Sequence, residues 1–540
     1  MWWSVVVAAV YSLLDISHAA ALPHAHPSES GDVLRNANHV FNAIHSSMRQ
    51  WGSSINHNGM SFFLAQVPQG TRFYHGSPNQ EPVEGMEWLA FEPEHAINFA
   101  HRFPKQKNPP GPPPDMKEHP HPGLPPPDVG GIPQGPGFSP ASKDQHPFNP
   151  KDDRRHRPRP IPAEPGWLHT YKTKETLTLL YIDGTSAGKC DKGTLDSQDF
   201  LLLNASDEAR GAFGERERAQ RLCQMATETW QGKVQGFIRM EAGFEVIMCS
   251  FKQNLDLVHI VMAGPIAPDG REPGSNDPSF DHWSWNWVKS IATRYDGIGG
   301  ERVRLDYDHF VTSFGYDLDL FRRDDNLPRL ENLSVASLDK IRADVDAMVR
   351  DWNPSLELYK DDSINWQSIA DMVVERYANE LRYLTSGKLT TSEQLFDELG
   401  QFLRVYIDSD ARNKTAEVDR CTEQFVPGEL GLPKSVSGRA VYSIAKNICS
   451  TLLTAYDMRI LVQDSVESLK LLIKYLDWTI WRRCPECPLD KICFIPVWPF
   501  GAPEDREHPQ CRNAAEIEGR MGYWGYFGSP RLEADMHGRG

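Results

Sequence analysis

The apolar positions of this chain change period along its length, and the changes divide it. Val33, Ala37, Val40, Phe41, Ile44, Met48 and Trp51 recur at three- and four-residue steps. That spacing predicts a helix over 32–51, with Asp32 as its N-cap. Short apolar runs at 61–65 and 71–75 predict two strands, and a brief helix is expected over 93–102. After an interruption, Thr176-Leu-Thr-Leu-Leu-Tyr-Ile-Asp183 reads as a buried strand ended by Gly184. A helix over 206–230 would carry Glu208 and Glu215 near its positive end. Strands are expected over 234–240, 244–251 and 255–262, and a last short one over 302–306. From Ser334 onward the period is that of a helix, over 337–352, 364–384, 392–407, 437–458 and 459–481. The class is α+β: a mixed α/β domain over 21–325, a helical domain over 334–482, and an irregular Cys-rich tail over 483–540.

The interruption, 103–165, is different in kind. It holds about half of the chain's 41 prolines and shows no apolar period. Such a segment buries too little surface to offset its ordering entropy, so a disordered, polyproline-II-like insertion is expected.

The start of the chain sets the compartment. Trp2 to Leu14 is uncharged and apolar, too short to anchor in a hydrocarbon core of ~30 Å. Asp15 and the small residues Ala19-Ala20-Ala21 follow. This layout is that of a cleaved signal peptide over 1–20, although the usual basic n-region is missing. No later segment is apolar for long enough to span a bilayer. A secreted protein is therefore expected, with no membrane attachment after cleavage.

Nine cysteines suit an oxidising compartment: Cys190, Cys223, Cys249, Cys421, Cys449, Cys484, Cys487, Cys493 and Cys511. All are disulfide candidates, and the odd count leaves one over. Asn204, Asn332 and Asn413 each open an Asn-x-Ser/Thr sequon, so N-linked glycans are expected there. The formal charge of −16 argues against nucleic acid as a partner. The basic run 151–159 lies inside the proline-rich stretch and reads as solvated linker, with a processing site as the less common alternative.

Several patterns bear on chemistry. Asp306/Asp308 and Asp317/Asp319 are spaced to share a strand face, where they would hold a divalent ion or serve glycoside hydrolysis. Solvated strand edges are the commoner meaning. Trp283, Trp285 and Trp287 would form a sugar-stacking platform on a strand and scatter on a helix; core packing is the plainer reading. Cys484-Pro-Glu-Cys487 has redox or zinc spacing, with Cys493 and Cys511 as further ligands. It follows a helix rather than opening one, and export favours structural bridges. Ile182-Asp-Gly-Thr-Ser-Ala-Gly188 reads as a turn, lacking the spacing of a phosphate loop. No His-Glu-x-x-His or Walker-type pattern is present, so zincin and nucleotide-kinase chemistry lose support. No metal site is assigned.

Thr71-Arg-Phe-Tyr-His-Gly-Ser77, followed by Gly85-Met-Glu-Trp-Leu-Ala-Phe-Glu-Pro-Glu-His-Ala-Ile-Asn-Phe-Ala100, resembles the start of the ADP-ribosyltransferase fold. The resemblance implies that His75 bonds the nicotinamide ribose and that Trp88 stacks on nicotinamide, where the family usually has Tyr. Tyr74, Gly76 and Ser77 would complete the cofactor-binding edge, with NAD as the implied cofactor. The carboxylate implied to stabilise the oxocarbenium is Glu301, in Tyr295-Asp-Gly-Ile-Gly-Gly-Glu-Arg-Val-Arg-Leu-Asp306. A neutral imidazole, an aromatic face and a carboxylate are the groups such a transition state needs. Leu180–Lys189, 193–199 and 295–313 also resemble large secreted proteins of filamentous fungi with no assigned activity. Two other classes stand beside the transferase: a non-catalytic extracellular partner-binding glycoprotein, and a secreted carbohydrate-active enzyme using the Asp pairs and Trp stripe.

Overall fold

Ten strands pair into one sheet. The computed structural model describes residues 34–102, 164–204, 214–264 and 282–525, apart from 324, 356–357, 359–363, 427–432, 459–461, 518–519 and 521. The expected leader, the bulk of the proline-rich insertion and the expected helix start at 206–213 lie outside the described residues. The strands are β1 (Asn58–Val67), β2 (Arg72–Ser77), β3 (Glu87–Ala90), β4 (His101–Arg102), β5 (Glu164–Pro165), β6 (Trp167–Thr173), β7 (Leu177–Gly184), β8 (Gly236–Met240), β9 (Phe244–Met248), β10 (Leu255–Met262), β11 (Arg304–Leu305) and β12 (Val311–Thr312).

The order across the main sheet is β10-β6-β2-β3-β9-β8-β7-β1-β11, and β12 adds to β1. Only β7 and β8 run parallel. The small β4–β5 pair joins the two ends of the proline-rich stretch, which leaves and returns at adjacent points. Strands β1, β7, β8 and β9 are buried along their whole length. Both faces of the sheet centre are covered, which is why these strands read as continuous apolar runs rather than alternating ones.

The predicted helix over 32–51 is two helices, α1 (Ala37–Ser46) and α2 (Gln50–Ile55). Met48 takes a left-handed conformation with φ 53°, and its N–H donates to the Tyr181 hydroxyl instead of continuing the helix. The N-cap position falls to Asn36, not Asp32. Next come α3 (Pro93–Ala96), α4 (Glu215–Glu228), α5 (Phe251–Asn254) and α6 (His282–Ala292). The Trp283–Trp287 run is therefore helical, and no strand platform exists. Trp287 is buried and Trp285 half-buried against Ile291, Phe494 and Phe500.

The helical half contains α7 (Val335–Asp351), α8 (Trp366–Leu384), α9 (Ser392–Leu403), α10 (Lys414–Glu423), α11 (Val436–Asp457) and α12 (Val462–Leu476). Helices α7 to α11 each start on a side-chain cap: Ser334, Asn365, Thr391, Asn413 and Ser435 accept a backbone N–H of the first turn. One hydrophobic cluster runs from α1 and the sheet into α8, α11 and α12. The described residues from Leu34 onward form one compact unit.

Four disulfides pair Cys223–Cys249, Cys421–Cys449, Cys484–Cys493 and Cys487–Cys511. Cys190 is the free, buried thiol. The last two bridges consume every thiol of the candidate zinc set. They staple a small hairpin, β13 (Ile492–Phe494) and β14 (Gln510–Arg512), so the tail is less irregular than its sequence suggests. No described helix is long and apolar enough to cross a membrane.

Candidate functional site

The sheet order makes β2, β3 and β9 neighbours, and these three strands carry the chemistry-bearing residues. Tyr74 on β2 lies opposite Ala90 on β3, and Ala90 lies opposite Glu245 on β9. Trp88, two residues before Ala90, is on the same face and faces Ile247. Trp88 and Glu245 thus share one face of the sheet.

His75 points to the other face, opposite His169 on β6, and its ring also meets Phe251 edge-on. Strands β2 and β3 are registered at Tyr74–Ala90 alone. Across the resulting splay the His75 Nδ1–H donates to the Trp88 carbonyl at 2.7 Å. Burial, against that hydrogen bond, brings the imidazole down to about 4. The ring is neutral at physiological pH, and with its proton fixed on Nδ1 it keeps Nε2 as an acceptor. Gly76 is required here: a Cβ would sit 2.1 Å from the Ala96 carbonyl, because α3 crosses directly over it.

Trp88 is half-buried, with the Arg216 guanidinium 6.0 Å over its ring. Arg216 also pairs with Glu87 at 2.8 Å. Glu245 is buried and accepts from Arg239 at 2.6 Å. Arg239 is fully buried and also donates to Glu215 and to the Gln198 side-chain Oε1. Burial pushes Glu215 up, but the Arg239, Lys189 and Arg218 charges outweigh it and hold the carboxyl at about 2. Burial and neighbouring Glu245 raise Glu241, while Lys189, bonded to it, opposes them.

A ring nitrogen of His95 and one oxygen each of Glu241 and Glu245 lie within 4.8 Å of one another, all buried. That is metal-ligand spacing, but the chemistry fits an ion network better. Trp287 donates to His95 Nδ1 at 3.2 Å, which places the imidazole proton on Nε2. Lys189 and Arg239 already neutralise the two carboxylates.

The other sequence candidates fall elsewhere. Glu301 is exposed, in a left-handed turn with φ 50°, and its carboxylate pairs with Arg304 at 2.8 Å. Asp306 caps the N–H groups of Asp308 and His309. Asp308 accepts from the Trp366 indole at 2.7 Å. Asp317 and Asp319 pair at the surface with Arg35 and Arg322. These four aspartates do not converge on a shared site. Asn204, Asn332 and Asn413 are all exposed. Glu245 and Arg239 were not singled out in the sequence. Each lies in a run that otherwise reads as plain buried strand, and only the β3–β9 register reveals what stands beside Trp88.

Residues 32–265 match the family model described as the YPL277C N-terminal domain. The chain is similar to the uncharacterized protein YOR389W of Saccharomyces cerevisiae, 26% identical over 560 residues, covering 88% of this chain and 84% of that one. It is also similar to the uncharacterized protein YPL277C of the same yeast, 28% identical over 402 residues, covering 65% of this chain and 75% of that one. No solved structure matches the chain. The relatives are uncharacterised, so the likeness brings no activity with it.

Proposed function

We propose that the α+β half is a nicotinamide-dinucleotide site of the ADP-ribosyltransferase kind, carried on an exported glycoprotein. The observation that supports it most is the adjacency of β2, β3 and β9, which sets Trp88 and Glu245 on one face beside the Tyr-His-Gly-Ser segment. In this reading the Trp88 ring stacks on nicotinamide, and His75, on the opposite face of the sheet, acts as a positioning residue through its hydrogen bond to the Trp88 carbonyl. As the glycosidic bond to nicotinamide lengthens, positive charge grows on the ribose, and a buried carboxylate stabilises it. Glu245 is better placed for this than Glu301. It is buried on the strand next to β3 and is paired with Arg239 at 2.6 Å.

The test is nicotinamide release from NAD⁺ by the oxidised full chain. Glu245→Gln is expected to lower the rate by roughly 10²–10³-fold, as for loss of one preorganised transition-state contact. His75→Ala should lower it as well. A wild-type chain that neither binds NAD⁺ nor releases nicotinamide ends the reading. A rate that depends on Glu301 instead of Glu245 overturns the assignment of the carboxylate.

A second reading, a partner-binding glycoprotein, is favoured by one feature. Strand β10 closes one edge of the sheet with Leu257, Val258, Val261 and Met262 exposed. An open apolar edge is a template for a further strand.

A further inference from the structure

Strand β10 ends the sheet, and its outer side is a long unpaired edge. At the opposite end stand β11 and β12, two residues each. Among the described strands only β6 pairs with β10, so the N–H and C=O groups on its outer side have no ladder partner. Leu255-Asp-Leu-Val-His-Ile-Val-Met262 contains no Lys, Arg or Pro, the residues that usually keep such an edge from pairing. Its protection is a bulge at Val258, where the register against β6 slips between Leu257 and His259.

The register sets the faces. Leu257, Ile260 and Met262 lie opposite Tyr171, His169 and Trp167, alternate residues of β6, and so share one face. Asp256, His259 and Val261 lie opposite Lys172, Thr170 and Leu168 on the other. Leu257 and Met262 are 41% and 61% exposed on the first face, and Val261 is 47% exposed on the second. A helix or a groove would cover one face only. A further strand covers both and takes up the free backbone groups as well.

Which strand fits is decided by symmetry and charge. A lone peptide would cover this edge and present its own outer edge in turn. A second β10 has a sheet behind it, and each copy has one such edge, so the contact closes at two copies. Turned antiparallel about a two-fold axis at Ile260, the strand matches itself. Ile260 meets Ile260, His259 meets Val261, and Leu257 meets Met262 across the bulge. Apolar residues thus oppose apolar residues along the first face. The chain carries −16, yet no like charges meet here. Asp256, the strand's one formal charge, lies opposite Lys172 of its own sheet and falls beyond Met262 of the second copy. We infer that two copies of this chain join edge to edge through β10 into one continuous sheet. The inference rests on the second reading above and gives its partner.

The experiment measures the mass of the oxidised full chain by light scattering and sedimentation across about 1–100 µM. A shift from one copy to two with rising concentration is expected. The backbone amides of 257–262 should exchange hydrogen more slowly in the dimer. Met262→Lys and Leu257→Glu alter exposed side chains, and unchanged urea midpoints will show that both variants fold. Each sets charges against apolar residues on both sides of the axis and should weaken association about tenfold or more. The two changes in one chain oppose Lys to Glu at each end, and that chain should associate more tightly than either single variant. Equal association in all these variants overturns the inference. A chain that stays a single copy at about 100 µM overturns it too, and hydrogen exchange then tells how. Fast exchange along 257–262 leaves the edge open to some other strand, and the second reading stands. Slow exchange there means the chain covers its own edge, and the second reading fails as well.

Discussion

Asp183 and His75 are both buried titratable groups, and burial moves them in opposite directions. Burial raises Asp183 from its ordinary 3.8 to about 7, against its hydrogen bonds to Ser61. Between those values the folded chain keeps a proton that the unfolded chain releases, so this carboxyl makes stability fall as pH rises from about 4 to 7. His75 is the reverse case. Brought from 6.5 to about 4, it contributes stability that is full above 6.5 and lost as pH falls toward 4. The two slopes partly cancel in the wild type, and Asp183→Asn should expose the histidine slope. Asparagine keeps the oxygen that Ser61 N–H needs. Urea unfolding should therefore show the variant gaining on the wild type from pH 5 to pH 8, by an upper bound of a few kcal/mol at ~1.4 kcal/mol per pKa unit. A pH-independent difference between the two proteins would mean that Asp183 is ionised throughout.

At the level of elements, what was legible followed how local the causes are. The strand at 176–183 and the runs at 234–240, 244–251 and 255–262 are found within a few residues of their expected places, because an apolar run with a turn at its end needs no outside help. The long helices were equally readable, since a 3.6-residue stripe and a Ser, Thr or Asn cap are both written in neighbouring residues. Helix α10 was missed: Lys414-Thr-Ala-Glu-Val-Asp-Arg-Cys-Thr-Glu423 is mostly polar, and only its Asn413 cap and the bridge to Cys449 mark it. The break at Met48 was missed because its cause, the Tyr181 hydroxyl, lies far away in sequence. The same limit hid Glu245, whose meaning depends on a β3–β9 register. The β8–β9 hairpin in turn depends on α4, since Arg239 sits between Glu215 of the helix and Glu245 of its own hairpin. Arg239→Met should cost about 3–5 kcal/mol, because it strands two buried carboxylates. Replacing Arg239, Glu215 and Glu245 together by apolar residues of similar size should restore much of that loss in urea midpoints. If the single variant is as stable as the wild type, the hairpin and helix are not held by this charge set.

At the scale of the whole molecule, secondary structure changes type near residue 330, yet one hydrophobic cluster crosses that point. Val40, Phe41 and Ile44 of α1 belong to the same cluster as Leu452 of α11 and Leu476 of α12. Asn42 and Asn38 on α1 also bond the carbonyls of Leu476 and Tyr475. An N-terminal helix serving as the shared floor of sheet and helices predicts one cooperative unfolding unit rather than two. The Cys421–Cys449 bridge, 28 residues apart and wholly within the helical half, offers the means to test this. Closing a loop of that length is worth about 3.5 kcal/mol by chain entropy. Cys421→Ser with Cys449→Ser should therefore lower stability by about that amount. If the core is continuous, the loss moves a probe in the sheet, such as the Trp88 indole on β3, together with one in the helices, such as Trp481, whose indole donates to the Ala378 carbonyl of α8. Two transitions, with the sheet probe unmoved, would establish independent domains divided near residue 330. The export reading is tested on the same preparation. Secreted material should carry glycans on Asn204, Asn332 and Asn413, keep the four disulfides in non-reducing peptide maps, and expose Cys190 to alkylation only after unfolding. Asn413 can hold a glycan on Nδ2 while its Oδ1 still caps α10 by accepting the Ala416 N–H at 3.2 Å. Modification and folding are therefore compatible at that residue.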